Sequence, residues 1–312
     1  MPLAVGPAIS QTVASMLLAL TLVSPDPDTL PEAAARTRSA LASAGARVKE
    51  PRVLGPGAVD YLVEGDAIPP LRAAVDAALV GQAVDFALQP WAGRKKRLLI
   101  ADMDSTIIGC ECLDELADFA GVKEQVSAIT ERAMRGEIGF EGALRERVGM
   151  LQGLELSALE RCYAERVRLN PGARTLVRTM TAGSARCILV SGGFRFFTSK
   201  VAEAAGFAHD RANTLIDDGA RLTGQVGDPI LGREAKLQAL VEETADLGVG
   251  PEAALAVGDG ANDLMMIEAA GLGVAYRAKP VVAAQADARV DHADLTALLY
   301  FQGHAASDFV TD

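Results

Sequence analysis

The spacing of apolar positions changes several times along residues 1–90. Short β-like runs at Leu17 to Val23, Arg47 to Leu54, Val59 to Val63 and Val84 to Leu88 are separated by helical periodicity near Leu30 to Ala44 and Leu71 to Val80. The order βαββαβ predicts an antiparallel sheet with helices on one face, a small α+β module able to close its own core. The apolar stretch from Thr12 to Val23 is too short to span a bilayer, which takes about 20 residues. No Lys or Arg precedes Arg36, so the stretch reads as a buried strand entering the Ser24-Pro25-Asp26-Pro27-Asp28 turn, not as a membrane helix or signal peptide. Met1 to Gln11, with two prolines and no charge, is expected to be disordered.

Pro90 to Arg97 breaks the pattern with Pro, Gly and four consecutive charges. It reads as an exposed linker between a first domain at 1–90 and a second at 98–312. All the chemistry-bearing motifs lie beyond it, so the second domain is expected to fold and work alone. From Leu98 the pattern becomes strand, loop, helix. Leu98 to Ala101, Arg186 to Val190, Ala254 to Val257 and Leu272 to Ala275 are nearly continuous apolar runs, as strands buried on both faces require. They predict an α/β fold with a doubly wound parallel sheet, whose ligands bind beyond the carboxyl ends of the strands. Four helical patterns, Leu113 to Ala120, Val122 to Arg135, Phe140 to Leu151 and Leu156 to Ala164, separate the first two strands. One crossover helix would suffice there, so the excess reads as an inserted helical cap at about 112–170.

Half of the 312 residues are apolar and the net charge is −11. The core is therefore ample and a nucleic-acid surface is not expected. Cys110, Cys112, Cys162 and Cys187 lack a CxxC spacing, and three histidines cannot build a His-rich metal site. Structural zinc is not expected, and a reducing, cytoplasmic setting is.

Asp102-Met103-Asp104-Ser105-Thr106 follows the first core strand, and Gly258-Asp259-Gly260-Ala261-Asn262-Asp263 follows another. Carboxylates converging at strand ends need a cation, and an oxygen-only set suits Mg²⁺, which shares a phosphate oxygen. Ser191-Gly192-Gly193 follows the strand at Arg186 to Val190 and is expected to open a helix, offering a hydroxyl and unhindered N–H groups to phosphate. Lys236 can add a full positive charge. Singly these features have ordinary readings: an Asx turn, a common Ser-Gly-Gly turn, a solvated lysine. Their order after successive strands points to a phosphorylated substrate.

The same set, Asp102-x-Asp104-Ser105-Thr106, Ser191-Gly192-Gly193, Lys236 and Gly258 to Asp263, resembles the four motifs of the haloacid dehalogenase superfamily, and within it the phosphoserine phosphatases. The resemblance runs from about Arg97 to Leu299. It implies a Rossmann-like core, with Asp102 as the nucleophile that becomes an aspartyl phosphate and Asp104 as general acid and then base. Lys236 would stabilise the phosphoryl group. Mg²⁺ would be held by Asp102, the backbone carbonyl of Asp104 and Asp259, with Asp263 orienting Lys236 and the ligands. Substrate contacts would come from Ser191, Gly192, Gly193, Lys236 and Asn262. Glu111 would meet the serine ammonium, Arg147 its carboxylate, and Met134 with Phe140 would close the site. Read singly, Glu111 is a helix N-terminal charge, Arg147 a surface ion pair, and Met134 with Phe140 cap core.

The resemblance implies hydrolysis of O-phospho-L-serine, the last step of serine biosynthesis. Alternatives are another small phosphate ester, or an amino-acid-binding regulatory protein without catalysis. The first module looks like the ACT-type unit some members carry. Three roles are open to it: a serine sensor through which product inhibits, a surface that forms a homodimer, or a domain with no ligand. Neither nucleic acid nor membrane is expected as partner, and Cys110 and Cys112 receive no family role.

Overall fold

The computed structural model describes residues 15–134 and 137–311; Met1 to Gln11 and the side chain of Met134 lie outside the described residues. The N-terminal module runs β1 (Met16–Val23), α1 (Leu30–Ser43), β2 (Arg47–Val48), β3 (Arg52–Gly55), β4 (Ala58–Gly65), α2 (Ile68–Leu79) and β5 (Asp85–Pro90). β1 lies between β4 and β5, antiparallel to both, with Leu20 opposite Tyr61 and Leu88. The βαββαβ order of the sequence pattern is thus present, with its second strand split into β2 and β3.

Side chains alternate across a strand, and β1 shows where each set goes. Leu18, Leu20 and Leu22 pack with Leu30, Leu41, Leu71 and Val75 of the two helices. Val23, with Leu54, Ala58 and Ala87, faces the other way into the core shared with Ala297, Leu298, Leu299 and Phe301. The module's second face is therefore covered by the rest of the chain, where the sequence pattern suggested a unit closed on itself. The segment after β5 is also tied down. Trp91, Ala92 and Gly93 are exposed as a linker should be, but Arg94 is buried. Both terminal nitrogens of Arg94 donate to Asp60 at 2.8 Å, and its guanidinium lies 4.2 Å from the centre of the Trp91 ring.

Beyond it come β6 (Leu98–Ala101), the helices α3 (Cys112–Phe119), α4 (Lys123–Met134), α5 (Phe140–Gly149) and α6 (Leu156–Arg166), then α7 (Ala173–Ala182), β7 (Arg186–Phe194), α8 (Arg195–Ala205), β8 (His209–Asn213), β9 (Leu215–Asp217) and β10 (Leu222–Val226). The chain finishes with α9 (Arg233–Asp246), β11 (Ala254–Gly258), α10 (Leu264–Ala269), β12 (Leu272–Tyr276), α11 (Pro280–Ala283), β13 (Ala288–Val290) and α12 (Ala297–Phe301). Strands β13, β12, β11, β6, β7 and β8 are parallel neighbours in that order, and β13 joins the N-terminal sheet through β5.

β6 is the pivot. Its four residues are fully buried, Leu98 and Ile100 in one core and Leu99 and Ala101 in the other. Helices α3 to α6 form the cap. The chain leaves the sheet and returns to it side by side: Gly109 donates to the Arg168 carbonyl at 3.2 Å, Asn170 to that of Ile107 at 2.8 Å, and Ile108 bridges Leu169. The hairpin β9–β10, absent from the sequence expectation, packs against α5 of the cap.

Candidate active site

Asp102 extends the ladder by one step past β6, donating its N–H to the Val257 carbonyl at 3.0 Å, and is 5% exposed. The chain then turns through Ser105, whose φ of 56° is left-handed and uncommon for a residue other than Gly. Ile108 closes the turn by donating back to the Met103 carbonyl at 3.0 Å. Asp104 Oδ1 accepts the Cys112 N–H at 3.2 Å, and the Ser105 hydroxyl donates to Glu111 Oε1 at 2.6 Å. Burial and then the nearby Glu111 charge push the Asp104 carboxyl up to about 7.

The buried Lys236 Nζ lies 2.6 Å from Asp102 Oδ1 and 2.6 Å from Asp263 Oδ1. Asp263 Oδ2 accepts the N–H groups of Asp259 and Gly260 at 3.2 and 3.0 Å, which folds the motif after β11 into a tight turn. Only Gly fits at 258, where a Cβ would sit 2.4 Å from Asp263 Cγ. Burial and the Asp263 charge drive the Asp102 carboxyl well above its ordinary range against the pull of Lys236. Burial would lower Lys236, but the two carboxylates outweigh it and keep the ammonium charged. Asp259 is pushed up to about 6 by burial and then by Asp263.

Asp102, Asp259 and Asp263 each offer a carboxylate oxygen within 4.8 Å of the others. Asp263 has both oxygens engaged, so Asp102 and Asp259 are the two left to ligate. An all-oxygen set carrying more negative charge than one lysine balances fits a divalent cation.

Ser191, Gly192 and Gly193 lie within the extended end of β7; the next helix opens at Arg195. The expected helix N-terminus is therefore not what this loop offers, because the strand runs on through Phe194. Instead Gly193 donates to Ser191 Oγ at 2.9 Å, and a Cβ on Gly193 would lie 2.9 Å from Asp104 Oδ2. The missing side chain is what lets the loop approach the carboxylates.

From the cap, Phe140 is 42% exposed and reaches the same loop: a Cβ on Gly192 would lie 3.5 Å from its Cζ. Glu111 is exposed, close enough to act on Asp104 and Asp259. Arg147 is half-buried and, among the described residues, has no carboxylate within ion-pair reach. Its guanidinium meets the Ala143 carbonyl at 3.3 Å and the Thr130 hydroxyl at 3.4 Å. It lines a cavity of about 250 Å³ with Thr130, Ala133, Ile138, Phe140 and Ala143. The surface ion pair that Arg147 alone would suggest is thus absent among the described residues. Asn262 is half-buried beside Gly260. Cys110 is half-buried and Cys112 fully so, both with free thiols.

Sequence reasoning quoted Thr106 within a motif without giving it a role and missed two further supporting residues. Thr106 Oγ1 donates to Asp259 Oδ1 at 3.4 Å, Asn170 Nδ2 to the Thr106 carbonyl at 2.8 Å, and Asn213 Nδ2 to the Gly192 carbonyl at 2.8 Å. Asn170 stands in an Asn-Pro-Gly turn that could have been noticed; Asn213 has no such signal.

Sheet and site together define a capped, doubly wound α/β hydrolase. The model of the haloacid dehalogenase-like hydrolases matches residues 99–268. A phosphoserine phosphatase of Archaeoglobus fulgidus is 44% identical over 217 residues, covering 69% of this chain and 63% of that protein. One from a Polaromonas species is 45% identical over 208 residues, 65% of this chain and 88% of its own. The crystal structure of a probable phosphoserine phosphatase from Vibrio cholerae superposes with a TM-score of 0.74 at 29% identity, covering 96% of this chain and 90% of that one, so the N-terminal module is included. A phospho-aspartyl intermediate analogue of a phosphoserine phosphatase matches 66% of this chain and 98% of its own at 36% identity, TM-score 0.61. The chain belongs to the haloacid dehalogenase-like hydrolase family, in its phosphoserine phosphatase branch.

Proposed function

We propose that this chain hydrolyses O-phospho-L-serine to L-serine and phosphate through an aspartyl phosphate on Asp102. The observation that carries the reading is the buried Asp102–Lys236–Asp263 cluster, with Asp104 beside it and Asp259 completing the acidic set. The similarity of this chain to a phospho-aspartyl intermediate analogue of a phosphoserine phosphatase supports that reading.

In the first half-reaction an Asp102 oxygen attacks phosphorus, the bond to the serine oxygen breaks, and Asp104 gives that oxygen a proton. In the second, Asp104 takes a proton from water, the water oxygen attacks phosphorus, and Asp102 departs as carboxylate. A carboxyl held at about 7 is near half-protonated at neutral pH, so it can serve both halves. Lys236 and the Ser191 to Gly193 loop stabilise charge on the phosphoryl oxygens as it is transferred. Asp102, the Asp104 carbonyl and Asp259 would hold Mg²⁺, which would supply further neutralisation of the phosphoryl oxygens. Glu111 and Arg147 take the ammonium and carboxylate of the serine half, while Phe140 excludes water.

We place the reaction in the cytoplasm, where four free thiols stay reduced. The test is phosphate release from O-phospho-L-serine, phosphothreonine, a sugar phosphate and p-nitrophenyl phosphate, with Mg²⁺ and with EDTA. Phosphoserine should lead the panel, and EDTA should abolish turnover. Asp102→Asn should retain under about 1% of activity, since an amide is a poor nucleophile and ligand. Equal use of the sugar phosphate, or activity undiminished in EDTA, would sink the reading. Added L-serine and the mass in solution test the N-terminal module, proposed as ACT-like, as a product sensor or homodimer surface.

A further inference from the structure

Behind the site one buried amide joins two backbone segments. β8 ends at Asn213, level with Phe194 of β7, and Asn213 is 2% exposed. Its Nδ2 donates to the Gly192 carbonyl at 2.8 Å and more weakly to the Leu231 carbonyl at 3.4 Å, while its Oδ1 accepts the Leu231 N–H at 2.7 Å. Two donors and an acceptor are needed from one compact planar group. An asparagine supplies them, whereas the carboxylate of an aspartate has no donor.

The consequences reach the site from both ends. In a planar trans peptide the carbonyl of one residue and the N–H of the next point in opposite directions. Pinning the Gly192 carbonyl toward Asn213 therefore turns the Gly193 N–H the other way, where it meets Ser191 Oγ at 2.9 Å on the side of Asp104. At the other end Leu231 leads into Gly232 and the first turn of α9, which carries Lys236. Phe140 of the cap rests on both segments, since a Cβ at Gly192 or Gly232 would lie 3.5 or 3.6 Å from its ring.

We infer that Asn213 is a positioning residue for phosphoryl transfer, which rests on the phosphatase reading above. It holds the Ser191 to Gly193 loop and the entrance of α9 at a fixed separation. The loop donors and the Lys236 ammonium then converge on one phosphoryl group, and Phe140 keeps its seat on both segments. Donors set in advance around developing charge favour the transition state over bound substrate, so slackening them should lower kcat more than it raises KM.

The test uses the full chain with Mg²⁺, comparing the parent with Asn213→Ala and Asn213→Asp on O-phospho-L-serine and p-nitrophenyl phosphate. Inhibition by vanadate, a mimic of five-coordinate phosphorus, and thermal melting are read alongside. We expect kcat to fall about 10- to 100-fold with KM within about threefold, and vanadate to weaken roughly in step with kcat/KM. Asn213→Asp keeps the acceptor for the Leu231 N–H, so it carries the test should Asn213→Ala fail to fold. A carboxylate there repels the Gly192 carbonyl while a protonated carboxyl can donate to it, so the ratio of variant to parent kcat should rise as pH falls. A merely structural loss would lower melting temperature without that rise. Folded variants with kcat and vanadate inhibition within about twofold of the parent would overturn the assignment. A parent that turns over p-nitrophenyl phosphate but not phosphoserine would sink the substrate reading alone, and the Asn213 comparison would proceed on the nitrophenyl ester.

Discussion

Two side chains at the site separate chemistry from recognition. Asp104, raised to about 7 by burial and then by Glu111, is proposed as the acid of the first half-reaction and the base of the second. Formation of the phosphoenzyme should therefore slow as pH rises above about 7, where the proton is gone, and its hydrolysis should slow below about 7, where the base is lost. Rapid-quench measurement of the two steps checks both limbs. Asp104→Asn should cut phosphoserine turnover by about 10²- to 10⁴-fold but spare the burst of nitrophenolate, which leaves without a proton. Loss of that burst to the same degree as phosphoenzyme formation from phosphoserine would remove Asp104 from the acid role. Arg147 tests recognition. With no carboxylate partner among the described residues, its guanidinium is available to a ligand carboxylate. Arg147→Lys keeps the charge and loses the planar fork, so kcat/KM should fall about 10- to 100-fold for phosphoserine and little for phosphoethanolamine, which lacks the carboxylate. Parallel losses would make Arg147 a support of the cap.

At the scale of elements, legibility in the sequence follows burial. β6, β11 and β12 were readable because strands buried on both faces are continuous apolar runs, and the acidic motifs were readable because each immediately follows one of the core strands. β8 was not: His209, Asp210, Arg211 and Asn213 are polar, and the strand exists because it pairs with β7 at the sheet edge. The reach of β7 through Gly192 and Gly193 was hidden for a related reason, since glycines read as a turn until a neighbouring strand holds them extended. The helix α9 shows the same dependence on distant partners. Lys236 and Glu243 are two turns apart on one face, and Glu243, 3% exposed in its side chain, meets Arg186, His209 and Arg211 of β7 and β8 at 2.7 to 2.8 Å. Burial would raise the Glu243 carboxyl, but those hydrogen bonds outweigh it and hold it at about 2. A carboxyl depressed on folding contributes stability that is present above its unfolded value, near 4.5, and lost as pH falls toward about 2. Glu243→Gln should then cost about 2–3 kcal/mol in urea unfolding at neutral pH, with the gap to the parent closing in acid. A gap that stays constant from neutral pH to about pH 3 would mean the charge on Glu243 does not anchor α9.

At the scale of the whole molecule, the two sheets share more than a linker. Val23, Leu54, Ala58 and Ala87 from the N-terminal module lie in one core with Ala297, Leu298, Leu299 and Phe301 of α12, and the α12 residues are fully buried. Polar ties cross the same boundary. Gln89 Nε2 donates to the Phe301 carbonyl at 2.8 Å, and the Asp85 carboxylate accepts the N–H groups of Asp291, His292 and Ala293 at 2.7 to 3.2 Å. None of this was visible in the sequence, because each half of the contact reads as an ordinary strand or helix face and only the fold brings them together. Removing residues 1–91 would expose the inner face of α12, leave Arg94 without Asp60, and free three backbone donors after β13. The fragment should therefore be poorly soluble or melt about 10 °C or more below the full chain, and it should do so although every motif residue remains. The full chain should unfold in one cooperative transition by calorimetry, because no clean surface separates the modules. A soluble fragment that melts with the full chain and hydrolyses phosphoserine equally well would show that the shared core adds nothing, and that the module beyond Pro90 stands alone as its sequence pattern first suggested.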